Sequence, residues 1–273
     1  MYIRFKDGKQ KVVTLSYDDG VVFDIKLIEI MSKYGLKGTF NINTGLYLSE
    51  ETTRDEWNGR MKLSEAKKTY SDSGNEIAVH ALTHPFLEQL SEPEIIREIT
   101  EDRKNIEREY GVIAKGMAYP FGTYDDRVLE ILKNCGISYS RTVKSTESFK
   151  MPQNWLTLHP TCHHNNPKLM DLAKQFVESD RFGEGMMFYL WGHSYEFNND
   201  NNWNVIEEFA EYIGNREDIW YATNIEIYNY VKAYESLITS YDQKIIHNPS
   251  AMDVWVFDNG ETSLIKSGET LYR

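Results

Sequence analysis

The sequence predicts an α/β fold, a distorted (β/α) barrel, on three observations. Short apolar runs typical of strands alternate along the chain with longer runs in which apolar residues recur at helical spacing. Strands that alternate with helices imply right-handed crossovers and parallel strands. Polar residues follow the strand ends, and active sites gather at that face of a barrel, so a barrel is favoured over an open sheet.

The predicted elements follow one another as strands separated by helices. The expected strands are residues 11–17, 38–42, 76–79, 116–119, 137–142 and 186–191, with a short strand at Trp220. The expected helices are residues 22–34, 63–70, 91–110, 126–134, 168–178, 205–213 and 224–240. Gly35 is suited to end the first helix, and Ser91-Glu-Pro-Glu94 has the form of a capping box that opens the third.

The C-terminal segment has a different pattern. Two strand-like runs, residues 254–257 and 262–265, flank Asp258-Asn259-Gly260, which is a strong signal for a hairpin turn. We therefore expect residues 1–240 to form the barrel and residues 241–273 to form a small β-hairpin appendage packed on it.

Length, charge and cysteine content exclude several classes of protein. A chain of 273 residues can bury a sizeable core without disulfides, and two cysteines do not form a disulfide framework. The net charge of -12, with no basic patch or tail, argues against nucleic acid or an anionic membrane as a partner. No apolar run reaches transmembrane length and the N-terminus lacks a signal-peptide core, so we expect a cytoplasmic protein.

Four residues at two strand ends predict a metal site. Asp18 and Asp19 close the first strand, and His80 and His84 follow the third. Alone, Asp-Asp-Gly before a helix is typical of a capped turn, and a His-x-x-x-His pair is only moderately specific. Together they offer one carboxylate and two imidazoles as ligands and a second carboxylate as a base, as metal-assisted hydrolysis requires. The donor set suits one divalent ion, zinc first, and also cobalt, nickel or iron.

Two other strand ends carry candidate catalytic groups. His193 follows Tyr189-Leu-Trp-Gly192, where it can donate a proton to a leaving group, although a lone histidine is usually structural. Leu190 and Trp191 are suited to form an apolar pocket for a small acyl group. The tight turn Tyr119-Pro-Phe-Gly122 is suited to present a backbone N–H to an oxyanion.

Taken in order, four motifs resemble those of the polysaccharide deacetylases, also known as the NodB homology domain or carbohydrate esterase family four. They are Tyr17-Asp-Asp-Gly20, His80-Ala-Leu-Thr-His84, Tyr119-Pro-Phe-Gly122 and Leu190-Trp-Gly-His193, and the resemblance covers roughly residues 11–230. It implies a barrel of the NodB type and an enzyme, a metal-dependent hydrolase that removes N- or O-acetyl groups from an acetylated sugar or oligosaccharide.

The resemblance also implies a role for each matching residue in that hydrolysis. The implied roles are Asp18 as general base; His193 as general acid; Asp19, His80 and His84 as metal ligands; the backbone N–H of Phe121, in the turn that starts at Tyr119, as an oxyanion donor; and Leu190, next to Trp191, as the lining of the acetate pocket.

The chain departs from the family at the residue that holds the base. The family has an arginine at the position of Ala118, and the aspartate–tryptophan motif that supports this arginine is not found in residues 123–185. Arg141, at the end of the fifth strand, is the residue that we expect to orient Asp18 instead. The alternative is an Asp18 without a cationic neighbour, which would be a stronger base.

Other functions and one histidine-rich run stay open on sequence alone. A C–N hydrolase of the same superfamily that acts on a small cyclic amide would use a similar site, and a catalytically impaired carbohydrate-binding relative would keep the fold. The run His159-Pro-Thr-Cys-His163-His164 is suited to line the substrate groove, to form a second metal site with Cys162, or to cap the barrel mouth.

Overall fold

The computed structural model describes residues 1–53, 59–180 and 183–273. Its strands are β1 (Tyr2–Arg4), β2 (Lys11–Asp18), β3 (Gly38–Ile42), β4 (Glu76–Val79), β5 (Gly116–Ala118), β6 (Tyr139–Arg141), β7 (Cys162–His163), β8 (Met186–Gly192), β9 (Ile219–Tyr221), β10 (Ile238–Thr239), β11 (Ile245–His247), β12 (Val254–Asp258), β13 (Glu261–Ile265) and β14 (Thr270–Tyr272). Its α-helices are α1 (Asp24–Lys33), α2 (Leu63–Tyr70), α3 (Glu92–Tyr110), α4 (Asp126–Asn134), α5 (Leu169–Glu178), α6 (Ser194–Asn199), α7 (Asn204–Ile213) and α8 (Asn224–Glu235).

Strand β2 is the centre of a parallel sheet. The sheet runs in the order β6-β5-β4-β3-β2-β8-β7, and every pairing in it is parallel. One edge of β2 pairs with β8, while the other is shared by β9, which pairs with residues 11–13, and β3, which pairs with residues 15–18. The sheet curls into an incomplete barrel, so the distorted (β/α) barrel predicted from the sequence is confirmed.

Most predicted elements are present, and the largest difference is at the last helix. The expectation that this helix reaches residue 240 is wrong, because α8 ends at Glu235. Ser236 Oγ donates to Ala233 O at 2.7 Å, and the β-branched residues Ile238 and Thr239 then pair with β11. The three-residue strand β1 and the two-residue strand β7 were not predicted, because such short runs show no clear period of two.

Two small antiparallel sheets are separate from the parallel sheet. Strands β12 and β13 form the predicted hairpin, and Asn259 and Gly260 in its turn have φ of 51° and 88°, as a type I′ turn requires. Strand β1 from the N-terminus adds to β12, and β10 and β14 flank β11. The first strand of the chain therefore shares a sheet with the C-terminal hairpin, and the division at residue 240 stays a prediction.

Strand β2 separates the outer core from the barrel interior. Val13, Leu15 and Tyr17 pack in the main hydrophobic core with residues of the surrounding helices. Because side chains alternate along a strand, Thr14 and Asp18 face the interior. Every residue of β2 is buried, so Asp18 is a carboxylate that the fold holds out of water. Among the described residues, no helix is long and apolar enough to span a bilayer.

A second buried carboxylate ties three helices together. Asp24, the first residue of α1, accepts hydrogen bonds from Ser194 Oγ of α6 at 2.5 Å and from Tyr70 OH of α2 at 2.6 Å. Burial raises the pKa of Asp24 to about 7, although these hydrogen bonds and one from the backbone of Val21 oppose the rise. Between about pH 4 and pH 7, the folded chain therefore keeps a proton that the unfolded chain has lost.

This raised pKa predicts a pH-dependent effect of Asp24→Asn. The wild-type carboxyl contributes stability that is complete below its unfolded pKa and is lost as the pH rises through about 7, whereas the amide does not titrate. Relative to the wild type, Asp24→Asn should therefore lower the free energy of unfolding by roughly 2–3 kcal/mol more at pH 5 than at pH 8.5. Urea unfolding at both pH values measures this difference.

The matched control is Glu211→Gln on the exposed face of α7, for which we expect no such difference. An Asp24→Asn effect that is equal at the two pH values would show that Asp24 is ionised in the folded protein throughout this range.

Candidate active site

Polar residues from four strand ends meet at the carboxyl edge of the barrel. Asp18 ends β2 and Asp19 follows it, His80 follows β4, Arg141 ends β6, and His193 follows β8. Because the carboxyl ends of parallel strands meet on one side of a barrel, these side chains converge. The structure thus brings together the residues that the sequence predicts as base, metal ligands, base-orienting residue and acid.

Asp19, His80 and His84 form a group that fits a divalent cation. One potential ligand atom from each lies within 4.8 Å of the others. The ring of His80 is fixed, because its Nδ1 lies 2.8 Å from the carbonyl oxygen of Ala118, which can only accept. Nε2 is then the unprotonated nitrogen that faces the group, as in metal sites where a carbonyl fixes the tautomer of the ligand.

Burial keeps both histidines of this group in the form that binds metals. Burial lowers the pKa of His80 to about 4, even though Asp18 and Asp19 oppose the change. Burial also lowers the pKa of His84. A neutral imidazole is the form that coordinates a metal, so at neutral pH no proton has to leave either ring before a cation binds.

The backbone around this group is strained. Asp19, Ala81, His84 and Phe121 have φ of 85°, 60°, 57° and 57°, in the left-handed region that residues other than glycine seldom adopt. Such conformations cost about 1–3 kcal/mol each and concentrate at functional sites. At Asp19 the strained turn lets two consecutive residues, Asp18 and Asp19, both reach the site from the end of one strand.

Arg60 is a site residue that the sequence did not reveal. It donates to the backbone oxygen of Asp19, and its Nη2 lies 3.0 Å from Asp19 Oδ1. Its Nη1 also donates to Asn43 Oδ1 at 2.9 Å. Arg60 belongs to no sequence motif, so only the folded chain shows that it holds the strained residue Asp19.

Asp18 is held from two sides. Arg141 Nη2 donates to Asp18 Oδ2, and Asn41 Nδ2 donates to Asp18 Oδ1 at 2.9 Å. His80 Nε2 and His193 Nε2 each lie 3.9 Å from Asp18 Oδ2. Burial by itself would raise the pKa of Asp18, but Arg141 and then the two histidines outweigh it and lower the pKa below the usual range.

The register of two strands explains why Arg141 reaches Asp18. Arg141 of β6 is the register partner of Ala118 on the adjacent strand β5. Its side chain therefore extends into the barrel at the same height along the strands as a side chain at position 118 would. The side chain is fully buried, and the indole of Trp191 lies over the guanidinium at 4.4 Å. A positive charge therefore stands beside Asp18 although residue 118 is an alanine.

His193 faces Asp18 with one nitrogen and a second carboxylate with the other. Its Nδ1 lies 3.4 Å from Glu196 Oε1, three residues on in α6. Burial lowers the pKa of His193, but Glu196 and then Asp18 and Asp19 raise it more, so the net pKa is above the usual value. Glu196 was not predicted, although its place three residues after His193 at a helix start matches a capping box.

The histidine-rich run divides between two places. His163 Nε2 and His164 Nε2 lie 3.1 Å and 3.0 Å from Glu196 Oε2. His159 is separate, with Nδ1 2.6 Å from Thr142 Oγ1. Cys162 is buried in the core and belongs to neither group of potential ligands, so the alternative of a metal site that includes this thiol finds no support among the described residues.

Two of the four residues predicted to contact substrate are placed elsewhere. Leu190 is fully buried in the main core, because it points to the opposite side of β8 from Trp191. Tyr119 is buried and its OH donates to Leu156 O at 2.8 Å. These two predictions are corrected: both side chains support the strand ends. Trp191, over Arg141, and Phe121, which is half exposed beside His84, lie at the site.

The chain is similar in sequence to polysaccharide deacetylases. The family model described as polysaccharide deacetylase matches residues 5–140. Among curated proteins, Chitin deacetylase 1 of Cryptococcus neoformans var. grubii is 31% identical over 125 residues, which are 45% of this chain and 24% of that protein. The match therefore spans about a quarter of the curated relative.

Solved structures share the fold. A Streptococcus pyogenes deacetylase in complex with acetate has a TM-score of 0.52 at 23% identity, over 62% of this chain and 71% of that one. A family 4 carbohydrate esterase from Streptomyces lividans, also in complex with acetate, has a TM-score of 0.51 at 18% identity, over 75% and 88%. The Xyl-CE4 domain of a multidomain xylanase from the hindgut metagenome of Trinervitermes trinervoides has a TM-score of 0.55 at 16% identity, over 82% of this chain and 92% of that one.

The geometry predicts the effect of His84→Asn on metal binding. The substitution removes one of the three potential ligands, and loss of even an outer partner of a metal ligand costs about 10–100-fold in affinity. In a calorimetric titration of the metal-free protein, we expect zinc binding to the Asp19–His80–His84 group to weaken by at least about 100-fold.

His159→Asn is the matched control, because this histidine lies outside both groups of potential ligands, and its titration should be that of the wild type. A His84→Asn titration that overlays the wild-type curve would contradict the assignment of this group.

Proposed function

We propose that this chain, whose residues 5–140 belong to the polysaccharide deacetylase family, hydrolyses N- or O-acetyl groups of a carbohydrate with the help of one divalent metal ion. One observation supports this proposal most strongly: Asp18 and His193 face each other across 3.9 Å, directly beside the Asp19–His80–His84 group. A base, an acid and a cation-binding group at one place are the parts that acyl hydrolysis requires.

Asp18 is suited to take the proton of the attacking water. It is ionised at neutral pH because Arg141 and the neighbouring histidines lower its pKa despite burial. A lower pKa makes a weaker base, so beyond keeping Asp18 ionised the gain from Arg141 lies in orientation: the guanidinium and Asn41 each hold one carboxylate oxygen. The direction of the carboxylate is thus fixed before substrate binds.

His193 is suited to give a proton to the departing amine or alcohol. The raised pKa increases the fraction of the imidazolium form near neutral pH. Glu196 faces Nδ1 at 3.4 Å, which leaves Nε2 directed toward Asp18 and the reacting group. The indole of Trp191 contacts both Arg141 and His193 and offers an apolar surface suited to a small acyl group. The sequence had predicted this role for Trp191 and Leu190 together.

A cation held by Asp19, His80 and His84 would polarise the acetyl carbonyl and stabilise the negative charge that develops on its oxygen. Zinc suits two imidazoles and one carboxylate best, and cobalt, nickel and iron bind similar sets. The backbone N–H of Phe121, on the rim beside His84, stays our candidate for a second contact to that oxygen.

The proposal predicts acetate release from an acetylated carbohydrate. The curated relative is by name a chitin deacetylase, so oligomers of N-acetylglucosamine are the first substrates to try, with O-acetylated xylan as the ester counterpart. Zinc-loaded protein should release acetate from at least one of them. Asp18→Asn, which keeps the shape of the side chain, should lower kcat by about 10²–10⁴-fold, the range for loss of a general base.

Two results would contradict the proposal in different ways. Turnover of small cyclic amides without acetate release would favour the C–N hydrolase. Binding of oligosaccharides by zinc-loaded protein, with no acetate from any acetylated substrate, would favour a carbohydrate-binding protein. Zinc content measured in wild type and in Asp18→Asn excludes loss of metal as the cause of a lower rate.

Arg141 has a role of its own to test. Arg141→Lys keeps the charge but loses the planar fork, and Arg141→Met loses both. Because Arg141 orients Asp18, we expect both variants to lower kcat by about 10–100-fold while KM changes little, with Arg141→Met the lower of the two. Steady-state kinetics of acetate release measures this, with Tm as a control for folding. Wild-type kcat in both variants would show that Asp18 does not need the guanidinium.

A further inference from the structure

A second group of potential metal ligands lies beside the proposed acid. His163 ends β7, His193 follows β8 and Glu196 lies in α6, and one potential ligand atom from each lies within 4.8 Å of the others. His163 Nε2 is 3.1 Å from Glu196 Oε2, and His193 Nδ1 is 3.4 Å from Glu196 Oε1. Two imidazoles and one carboxylate are a ligand set of known zinc sites.

Buried nitrogens without partners surround the same carboxylate. His164 is fully buried, with Nε2 3.0 Å from Glu196 Oε2. Within the described part of the chain, neither nitrogen of His164 nor Nδ1 of His193 has a hydrogen-bond partner in acceptable geometry. His164 Nδ1 lies against Gly192, whereas His164 Nε2 and His193 Nδ1 lie 3.0 Å and 3.4 Å from Glu196 without the geometry of a hydrogen bond. A buried polar atom left without a partner costs about 1–3 kcal/mol, so these two nitrogens indicate that a further binding partner belongs beside this carboxylate.

The fold makes room for His164 in this cluster. A Cβ atom at residue 192 would lie 2.0 Å from His164 Nδ1, so the ring can occupy its place only because residue 192 is glycine. The ring then packs against Phe197, with the ring centres 4.0 Å apart. These contacts hold a third imidazole against Glu196 from the core side.

We propose that His163, His193 and Glu196 bind a second divalent cation of the zinc class, with His164 packed against Glu196 outside the ligand group. The group supplies three protein ligands of the types that zinc prefers. It is distinct from the Asp19–His80–His84 group, since no residue belongs to both.

Two features oppose this assignment: a hydrogen bond at His163 and, when His193 is an imidazolium, the proton that a cation must displace from its Nδ1. The backbone N–H of Asn165 donates to His163 Nδ1 at 3.1 Å, which favours the tautomer with a proton on Nε2. A cation on Nε2 requires the other tautomer and breaks this bond. The bond is exposed, so water replaces it and the loss is about 1 kcal/mol. Zinc binding to protein sites has an apparent free energy about ten times larger.

The second cation would remove His193 from proton transfer. An imidazolium carries a proton on both ring nitrogens, and a cation on Nδ1 occupies one of these positions. His193 Nε2, which faces Asp18, could then no longer belong to an imidazolium. Excess zinc should therefore inhibit the enzyme, and this consequence, unlike the cation site itself, rests on the proposed deacetylase function.

Zinc stoichiometry tests the site without any activity. Native mass spectrometry and calorimetry on the full chain should find two zinc ions per wild-type chain, the second bound more weakly. His163→Asn should bind one ion, His84→Asn should keep the weaker event, and His159→Asn should bind two. Glu196→Gln should also bind one, and it decides the matter if His163→Asn does not fold, as judged by circular dichroism.

One zinc ion in the wild type, or two ions that persist in both His163→Asn and Glu196→Gln, would overturn the proposal and leave the cluster as a network of hydrogen bonds.

A kinetic experiment compares the rate of acetate release at one zinc equivalent with the rate at saturating zinc. The wild-type rate should fall by about 100-fold between the two, since loss of a general acid costs at least this much, and the ratio should return toward one in His163→Asn. Two bound ions with no acetate release would contradict the proposed function and leave the second site standing.

Discussion

The ion pair between Arg141 and Asp18 is the interaction on which the rest of the site depends. Both side chains lie at the carboxyl end of the barrel interior, Arg141 fully buried and Asp18 nearly so. A buried carboxylate without a partner would take up a proton, and breaking a buried pair typically costs 3–5 kcal/mol. The pair therefore does two things at once: it allows a charged group to end the central strand, and it points that group at His193 and His80.

The geometry of the sheet makes this arrangement possible. Residues 118 and 141 are partners on adjacent strands, so an arginine on β6 reaches the same space that a side chain from position 118 of β5 would occupy. The backbone oxygen of Ala118 meanwhile accepts from His80 Nδ1 and fixes the ring as a potential ligand. The paired residues 118 and 141 thus both support the site. Arg141 holds Asp18 through its guanidinium, and the backbone of Ala118 holds His80, which belongs to the same group of potential ligands as Asp19.

The sequence predicted the parts that follow from periodicity and motifs, and missed those that depend on contacts across the chain. Asp19, His80 and His84 are close together because strand ends in a parallel barrel meet, which a pattern of strands and helices already implies. Arg141 was predicted to orient Asp18 because the chain has alanine at position 118, where the family has the arginine with that role. Arg60 belongs to no sequence pattern. Leu190 was misassigned because the two faces of a fully buried strand cannot be told apart when neither face carries a charged residue.

A crystal structure of the protein with one equivalent of zinc tests the division of labour between the two adjacent aspartates most directly. The account predicts an ion bound by Asp19, His80 Nε2 and His84 Nε2, with Asp18 still paired to Arg141 and not coordinated. An ion that takes Asp18 as a ligand, with Arg141 released from it, would contradict the assignment of Asp18 as the base.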